Sequence, residues 1–191
     1  RDDGQTFSEP RRIDSLPRGA CACCALEAGF VGPNEIRILY RGAEGLSERG
    51  LLELHSRDGA MTFTSRPIDR WSLNQCPMTT TRLAPGADLA VWSTRGRIWA
   101  TPLGSSDLPD PTPISPESRQ ANHPTVARSP DGRILVAWTE GTGWQRGGSL
   151  AWSERDRLSP TWTSVERRPG VPVWGSPAAV CESDGRFTVW Y

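Results

Sequence analysis

The sequence predicts an all-β fold built from repeated four-stranded antiparallel sheets, and three observations lead to that prediction. The 191 residues include 19 glycines and 17 prolines, which is typical of a chain with many turns. Nine tryptophans are spread along the chain, and no window has the periodicity of a long amphipathic helix. An apolar strand ending in an aromatic residue recurs at intervals of about 50 residues, which is typical of a β-propeller blade.

The recurring strand sets the frame of each repeat. Its four copies are 36–40, 88–92, 134–138 and 186–190, and they end in Tyr40, Trp92, Trp138 and Trp190. The aromatic residues are 52, 46 and 52 residues apart. Because they hold the same strand position, we interpret them as packing between blades and not as a platform for glycans.

Strands on either side complete each predicted blade. First strands are expected at 79–83, 125–128 and 178–181, and Asp-Gly turns after them supply the positive φ of a tight hairpin. Third strands are expected at 51–55, 97–101 and 149–152, and fourth strands near 64–68 and 162–166.

The repeat predicts one β-propeller domain over residues 1–191. Complete blades are expected at about 21–70, 72–120 and 121–170, with partial blades at 1–16 and 171–191. A propeller closes on itself to remove sheet edges, so we expect the chain to cover about four blades of a larger propeller. We also expect the natural N-terminus, with a signal segment, to precede residue 1.

Charge and hydropathy give no argument for a nucleic acid or a membrane. The 22 basic residues, all arginine, balance 22 acidic residues, so the formal net charge is zero. No apolar run approaches the roughly 18 residues that a membrane span requires. The sequence therefore predicts neither a nucleic-acid partner nor a membrane span.

The cysteines form an unusual group. Three of the five lie in Cys21-Ala22-Cys23-Cys24, and Cys76 follows Cys24 by 52 residues, which is one repeat. His123-Pro124 then stands where Cys76-Pro77 stood one blade earlier. Equivalent positions on neighbouring blades lie together, so we expect Cys23, Cys24, Cys76 and His123 at the channel mouth, with Met78 near them.

Three interpretations of this cluster are open: a metal site, a disulfide, and free thiols. Thiolates and imidazole are ligands suited to copper or zinc, which predicts a metal site of Cys23, Cys24, Cys76 and His123. Alternatively, a disulfide joins Cys21, Cys23 or Cys24 to Cys76 and staples two blades in an oxidising compartment. Cys181 lies inside a predicted first strand, so we interpret it as a buried apolar residue.

The loops after the second strands are expected to open on the same face as the cysteines. They supply the predicted ligand-binding residues Arg41, Glu140, Trp144 and Arg146. The two arginines suit a carboxylate, and Trp144 offers a surface on which a sugar ring can stack. Exposed loop arginines and glutamates are usually only solvated, which is the alternative for each charged residue.

Two features of the sequence resemble motifs of one protein family. The hairpin 56–63, Ser-Arg-Asp-Gly-Ala-Met-Thr-Phe, resembles the Asp-box, or BNR repeat, of sialidase-like propellers; residues 1–7 resemble a second copy and 153–156 a degenerate third. In such a box the acid and the hydroxyl bind backbone amides of the turn, a structural role. The Cys-x-Cys-Cys element at 21–24 and the Trp…Cys-Pro element at 71–77 resemble a bacterial subgroup of these proteins.

This resemblance implies a glycoside-hydrolase-like protein without settling whether it is an enzyme. Sialidases hold a carboxylate with three arginines and use a tyrosine nucleophile, a glutamate and an acid/base aspartate. The chain contains no Arg-Ile-Pro element, and its tyrosines are Tyr40, on a predicted strand, and Tyr191, at the end. No catalytic residue is therefore assigned.

The sequence favours a secreted or periplasmic propeller that binds a carbohydrate or a protein partner, with a Cys/His cluster at the channel mouth. One alternative is an exo-sialidase-type glycoside hydrolase, whose remaining catalytic residues would lie in further blades. The other is a metal-handling or scaffold subunit of an envelope complex.

Overall fold

The computed structural model describes residues 4–16, 18–159 and 161–191, and its regular structure is antiparallel β-strand apart from one short turn of 3-10 helix at Glu117–Arg119. Fifteen strands in this part of the chain form four sheets that follow one another along the sequence. The predicted all-β fold with four-stranded antiparallel sheets is confirmed. Among the described residues, no helix has the length and apolar character needed to cross a membrane.

The first sheet is built around one long strand. Its strands are β1 (Gly19–Ala20), β2 (Glu27–Gly32), β3 (Glu35–Ala43), β4 (Leu51–Ser56) and β5 (Thr64–Asp69). Strands β3, β4 and β5 form a meander, while β2 and β1 pair with successive parts of the other edge of β3. The edge strands β1 and β2, which are rich in glycine and alanine, lack the alternating apolar pattern that identifies a strand and were not predicted.

The next two sheets repeat the meander. The second consists of β6 (Thr81–Leu83), β7 (Leu89–Thr94), β8 (Arg97–Pro102) and β9 (Thr112–Pro113). The third consists of β10 (Ala121–Arg128), β11 (Ile134–Glu140), β12 (Gly148–Arg155) and β13 (Glu166–Val171). The last sheet is the hairpin of β14 (Ala178–Cys181) and β15 (Phe187–Trp190).

The structure corrects some details of the sequence prediction and adds others. The fourth strand expected at 162–166 is displaced, because β13 begins only at Glu166. Before it, the Thr163 amide donates to Glu154 O at 2.8 Å, and Trp162 and Val165 pack on the core, so their apolar character reflects loop packing. Strand β9 is only two residues long, since Pro113 cannot donate to a ladder. Residues 4–16 contain no strand, and residues 1–3 lie outside the described residues.

Consecutive sheets share apolar clusters. Leu39 and Leu51 of the first sheet lie in one cluster with Trp92 of the second, and Leu89 of the second lies in another with Trp138 of the third. Trp92 and Trp138 have no exposed surface, and the Trp92 indole donates to Asp69 of the preceding sheet at 3.2 Å. These tryptophans hold one sheet against the one before it, as their repeated position predicts.

Candidate functional site

Three cysteines of the predicted cluster lie on one turn. Cys21 directly follows β1, and its amide donates to the carbonyl of Arg41 on β3 at 2.7 Å. The Cys24 amide then donates back to the carbonyl of Cys21 at 3.1 Å. This turn places all the sulfur atoms on the side of the connection between β5 and β6, which carries Cys76.

A disulfide joins Cys23 to Cys76, across 53 residues of sequence. Cys21 and Cys24 are free thiols beside it, and the four Sγ atoms all lie within 4.8 Å of one another. The Cys21 Sγ is 3.4 Å from the Cys23 Sγ, whereas the Cys24 Sγ lies 3.8 Å from Thr79 Oγ1. With the disulfide reduced, this group of four sulfur ligands could hold a metal ion. His123 is not a member of this group.

Burial controls the protonation of this cluster. It raises the pKa of the Cys21 thiol, and the hydrogen bond and charge of Cys24 raise it further, while the nearby Arg49 guanidinium opposes the effect. Burial lowers the pKa of Arg41, whose neighbours include both thiols. Cys21 therefore remains a neutral thiol at neutral pH. Cys181, the fifth cysteine, is a partly buried free thiol on β14.

His123 lies in an irregular part of β10. The pairing of β10 with β11 shifts register between Asn122 and Thr125, and His123 has a φ of 52°. The Asn122 side-chain oxygen accepts a hydrogen bond from the His123 amide at 2.9 Å, which fixes this bulge. The His123 Nδ1 is buried and has no hydrogen-bond partner among the described residues. Burial lowers the pKa of His123, and the positive charge of Arg82 lowers it further, so the ring is neutral at pH 7.

His123 forms part of the wall of a cleft of about 270 Å³. The cleft is also lined by Cys76, Met78, Asn122, Trp144 and Trp174. The lining combines aromatic rings, a few polar groups and sulfur, which is the usual composition of a small-molecule site. This cleft brings together Cys76 and His123, which the sequence predicted as metal ligands, and Trp144, which it predicted to bind a ligand on the same face.

Two tryptophans from different connections form the outer side of this cleft. Trp144 lies between β11 and β12 in a turn closed by mutual hydrogen bonds of the Gly143 and Arg146 backbones, at 2.9 and 3.2 Å. Trp174 lies between β13 and β14 in a turn closed by the Gly175 amide and the Pro172 carbonyl at 3.0 Å. The rings meet edge to face with centroids 4.4 Å apart, yet Trp144 is 70% and Trp174 59% exposed.

Sequence reasoning did not identify Trp174. The available signal was a tryptophan in the Pro172–Pro177 segment, where flanking prolines and glycine indicate a turn and not a strand. A tryptophan held in a turn cannot be one of the repeated strand aromatics, so it must either be covered by another element or remain exposed.

None of the three charged residues predicted to bind ligand lines this cleft, although Arg146 is exposed and lies two residues from Trp144. Arg41 is only 3% exposed, and its guanidinium donates to Arg49 O and Ser93 O, both at 2.9 Å. Glu140 is 5% exposed and accepts from Arg167 Nε at 2.7 Å. Arg146 donates from Nε to the carbonyl of Gly141 at 2.8 Å. All three are engaged with groups of the protein itself.

The hairpin between β4 and β5 has a dense set of side-chain hydrogen bonds. Ser56 Oγ donates to Asp58 at 2.8 Å and accepts from the Ala60 amide at 2.9 Å. The Asp58 carboxylate also accepts from the amide and the hydroxyl of Thr62, at 2.9 and 2.6 Å. These hydrogen bonds, led by that of the Thr62 hydroxyl, lower the pKa of Asp58 to about 2. Phe63 packs beneath, against Tyr40, Leu52 and Leu54.

Comparison with known proteins identifies a similar fold and no family. No family model matches the sequence. No curated protein matches it either. Among solved structures, the chain is similar to an exo-β-1,3-galactanase from Clostridium thermocellum, with 10% identity and a TM-score of 0.50. The match covers 86% of this chain and 40% of the galactanase, so the chain spans less than half of that enzyme's length. At this identity the likeness bears on the fold alone.

Proposed function

We propose that the four sheets are consecutive blades of a sialidase-like β-propeller, with complete blades at about 21–70, 72–120 and 121–170 and partial blades at 1–16 and 171–191. The first of these partial blades has no strand within residues 4–16. The first strand of each later sheet packs on the sheet before it: β6 on β2 and β3, β10 on β7, and β14 on β10. The hairpin between β4 and β5 supports the resemblance to the Asp-box. It has the hydrogen bonds of Ser56, Asp58 and Thr62, and Phe63 packs beneath it.

We infer that the chain is a carbohydrate-binding module whose site is the cleft beside Trp144 and Trp174. The observation that carries this inference is the pair of highly exposed tryptophan rings in edge-to-face contact. Large aromatic side chains left exposed beside a concave surface are typical of a binding site, because apolar area gains free energy when a ligand covers it. The apolar face of a sugar ring suits an indole, and Asn122, His123 and Thr142 offer polar groups for its hydroxyls.

Size limits the ligand. A volume of about 270 Å³ is close to the lower limit for small-molecule sites, so we expect one sugar residue, such as the end of a glycan, to enter it. The Cys23–Cys76 disulfide supports a secreted or periplasmic location, since disulfides persist in oxidising compartments.

The positions of Tyr40 and Arg41 favour carbohydrate binding over hydrolysis. The Tyr40 hydroxyl is bonded to Asp14, and the Arg41 guanidinium donates to backbone carbonyls, so neither offers a nucleophile or a carboxylate clamp to the cleft. The exo-sialidase alternative would need its catalytic groups from further blades.

Titration calorimetry with a panel of neutral and sialylated oligosaccharides tests the proposal. We expect one class of glycan to bind, and Trp144→Ala and Trp174→Ala each to weaken binding at least tenfold. Phe30→Ala is the matched control, because Phe30 is equally exposed at 68% but lies on β2, outside the cleft. Glycan binding unchanged in both tryptophan variants would contradict the site. Release of free sugar from the same panel would favour the glycosidase alternative.

The cysteine cluster supports a second candidate, a metal-handling subunit. Four sulfur atoms within 4.8 Å of one another are close enough to act, once reduced, as the thiolate ligands of a zinc or copper ion. Because Cys23 and Cys76 are joined, all four ligands exist only after reduction. We therefore expect about one equivalent of zinc or copper(I) to bind the reduced protein and none the oxidised protein, with loss in Cys24→Ser but not in Cys181→Ser.

Two results would argue against a metal site made of the four cysteine sulfurs. Metal that binds the reduced protein and is lost in His123→Ala would favour the ligand set of Cys23, Cys24, Cys76 and His123 that the sequence suggested. If neither the reduced nor the oxidised protein binds metal, the remaining role of the cluster is to form the disulfide.

A further inference from the structure

The cysteine cluster contains a disulfide with free thiols directly beside it. Cys21 and Cys24 carry the thiols, and the Cys21 Sγ lies 3.4 Å from the Cys23 Sγ, within van der Waals contact of the bonded sulfur. Thiol–disulfide exchange requires this approach of a thiolate to one sulfur of a disulfide. Cys24 is placed differently, because its sulfur has Thr79 Oγ1 as a neighbour at 3.8 Å.

We propose that the cluster is an intramolecular thiol–disulfide exchange site, in which Cys21 displaces Cys76 from Cys23. The small fraction of Cys21 that has lost its proton reacts: its sulfur attacks the Cys23 Sγ, and a Cys21–Cys23 bond forms as the Cys23–Cys76 bond breaks. Cys76 leaves as a thiolate and takes up a proton from solvent. One disulfide and two thiols are present before and after the step, so no oxidant or reductant is needed.

The exchange alters two parts of the molecule at once. It releases the β1–β2 turn from the connection between β5 and β6, since the Cys23–Cys76 bond joins these segments. It also delivers a thiol to the cleft, because Cys76 lines the cleft together with Met78 and His123. In the exchanged form the cleft wall carries a thiol, a thioether and a neutral imidazole. The proposal is independent of carbohydrate binding.

Digestion with trypsin distinguishes the starting form from the exchanged form, because Cys76 and the three clustered cysteines lie on different tryptic peptides. Cleavage after Arg18 and Arg37 gives peptide 19–37 with Cys21, Cys23 and Cys24, and cleavage after Arg70 and Arg82 gives peptide 71–82 with Cys76. The starting form yields these peptides cross-linked. The exchanged form yields free peptide 71–82 alkylated on Cys76 and peptide 19–37 with an internal disulfide and one alkylated cysteine.

The test uses the folded chain without reductant, equilibrated, quenched with acid and then alkylated with N-ethylmaleimide in denaturant before digestion. We expect alkylated Cys76 to be at least tenfold more abundant in the wild type than in Cys21→Ser. Its fraction should not change on tenfold dilution, since the reaction is intramolecular. The control Cys181→Ser should exchange like the wild type, and Cys24→Ser should retain the exchange.

Equal labelling of Cys76 in the wild type and in Cys21→Ser would overturn the proposal, as would loss of labelling in Cys24→Ser alone. Cys76→Ser gives an independent check that does not need the exchanged form to accumulate. In this variant, mild oxidation should join Cys21 to Cys23 within peptide 19–37. Failure of that bond to form, in a variant whose circular dichroism matches the wild type, would show that the turn cannot accommodate the product.

Discussion

Arg167 on β13 binds the carboxylate of Glu140 on β11 with two donors, Nε at 2.7 Å and Nη2 at 3.2 Å. Glu140 is almost completely buried, and it also accepts from the indole of Trp138 at 3.2 Å. The bidentate pair bridges two strands that are separated by β12 in the same sheet. It therefore balances a buried charge at the end of the strand that leads to the Trp144 loop.

Arg167→Ala is expected to destabilise the protein by about 2 kcal/mol, because it leaves the buried Glu140 carboxylate without its charged donor. Urea unfolding followed by circular dichroism measures the change in the free energy of unfolding. Arg168→Ala is the matched control, since Arg168 is an exposed neighbour on the same strand. Equal stability of the two variants would show that Glu140 does not depend on this pair.

Trp138→Ala is expected to cost about 4 kcal/mol, since it empties a fully buried position between two sheets. Trp144→Ala should change the free energy of unfolding by no more than about 0.5 kcal/mol, because that ring is exposed. Thermal unfolding of both variants compares a buried with an exposed tryptophan. Similar losses would contradict the division between structural and ligand-binding tryptophans.

The hairpin between β4 and β5 should contribute to acid sensitivity. The pKa of Asp58 is lowered from 3.8 to about 2 by donors present only in the folded hairpin. A carboxyl with a depressed folded pKa stabilises the protein above the unfolded value, and that stability is lost as pH falls from about 4 through about 2. We expect Asp58→Asn to make the free energy of unfolding less dependent on pH in this window.

Carboxyl NMR provides the direct check on Asp58. Thr62→Val removes the hydroxyl that contributes most to the lowered pKa, so the pKa of Asp58 should rise toward 3.8. Thr112→Val, in the separate strand β9, should leave the pKa of Asp58 at about 2. A value that does not move in Thr62→Val would show that the hydroxyl is not the dominant donor.

Removal of the disulfide should destabilise the protein through the unfolded state. The double variant Cys23→Ser/Cys76→Ser opens a loop of 53 residues, for which the loss of chain restraint corresponds to about 4 kcal/mol. Thermal unfolding without reductant measures the loss, and Cys181→Ser should leave the midpoint unchanged. If the double variant is as stable as the wild type, the bond constrains the chain less than its loop length implies.

Local sequence determined the second strand of each repeat and the order of the sheets, but not the edge strands β1 and β2. The recurring apolar strand with a terminal aromatic depends on neighbours within a few residues, and so do the Asp-Gly turns. The bounds of β7, β11 and β15 could therefore be predicted closely. Repeat spacing also predicted that Cys76 and His123 lie on one face, with Trp144 in a loop on that face, and the cleft contains all three. The sequence left the choice between disulfide and metal open, since both need the same residues close together.

Only the tertiary structure decided which side chains share the cleft. Strands β3 and β11 continue past Tyr40 and Trp138, and this extension buries Arg41 and Glu140, which a shorter strand would have left in loops. Trp174 meets Trp144 because the loops of two sheets converge, a contact that no local pattern encodes. The bonding of Cys23 to Cys76, with Cys21 alongside, likewise depends on positions set within a few ångströms by the turn after β1.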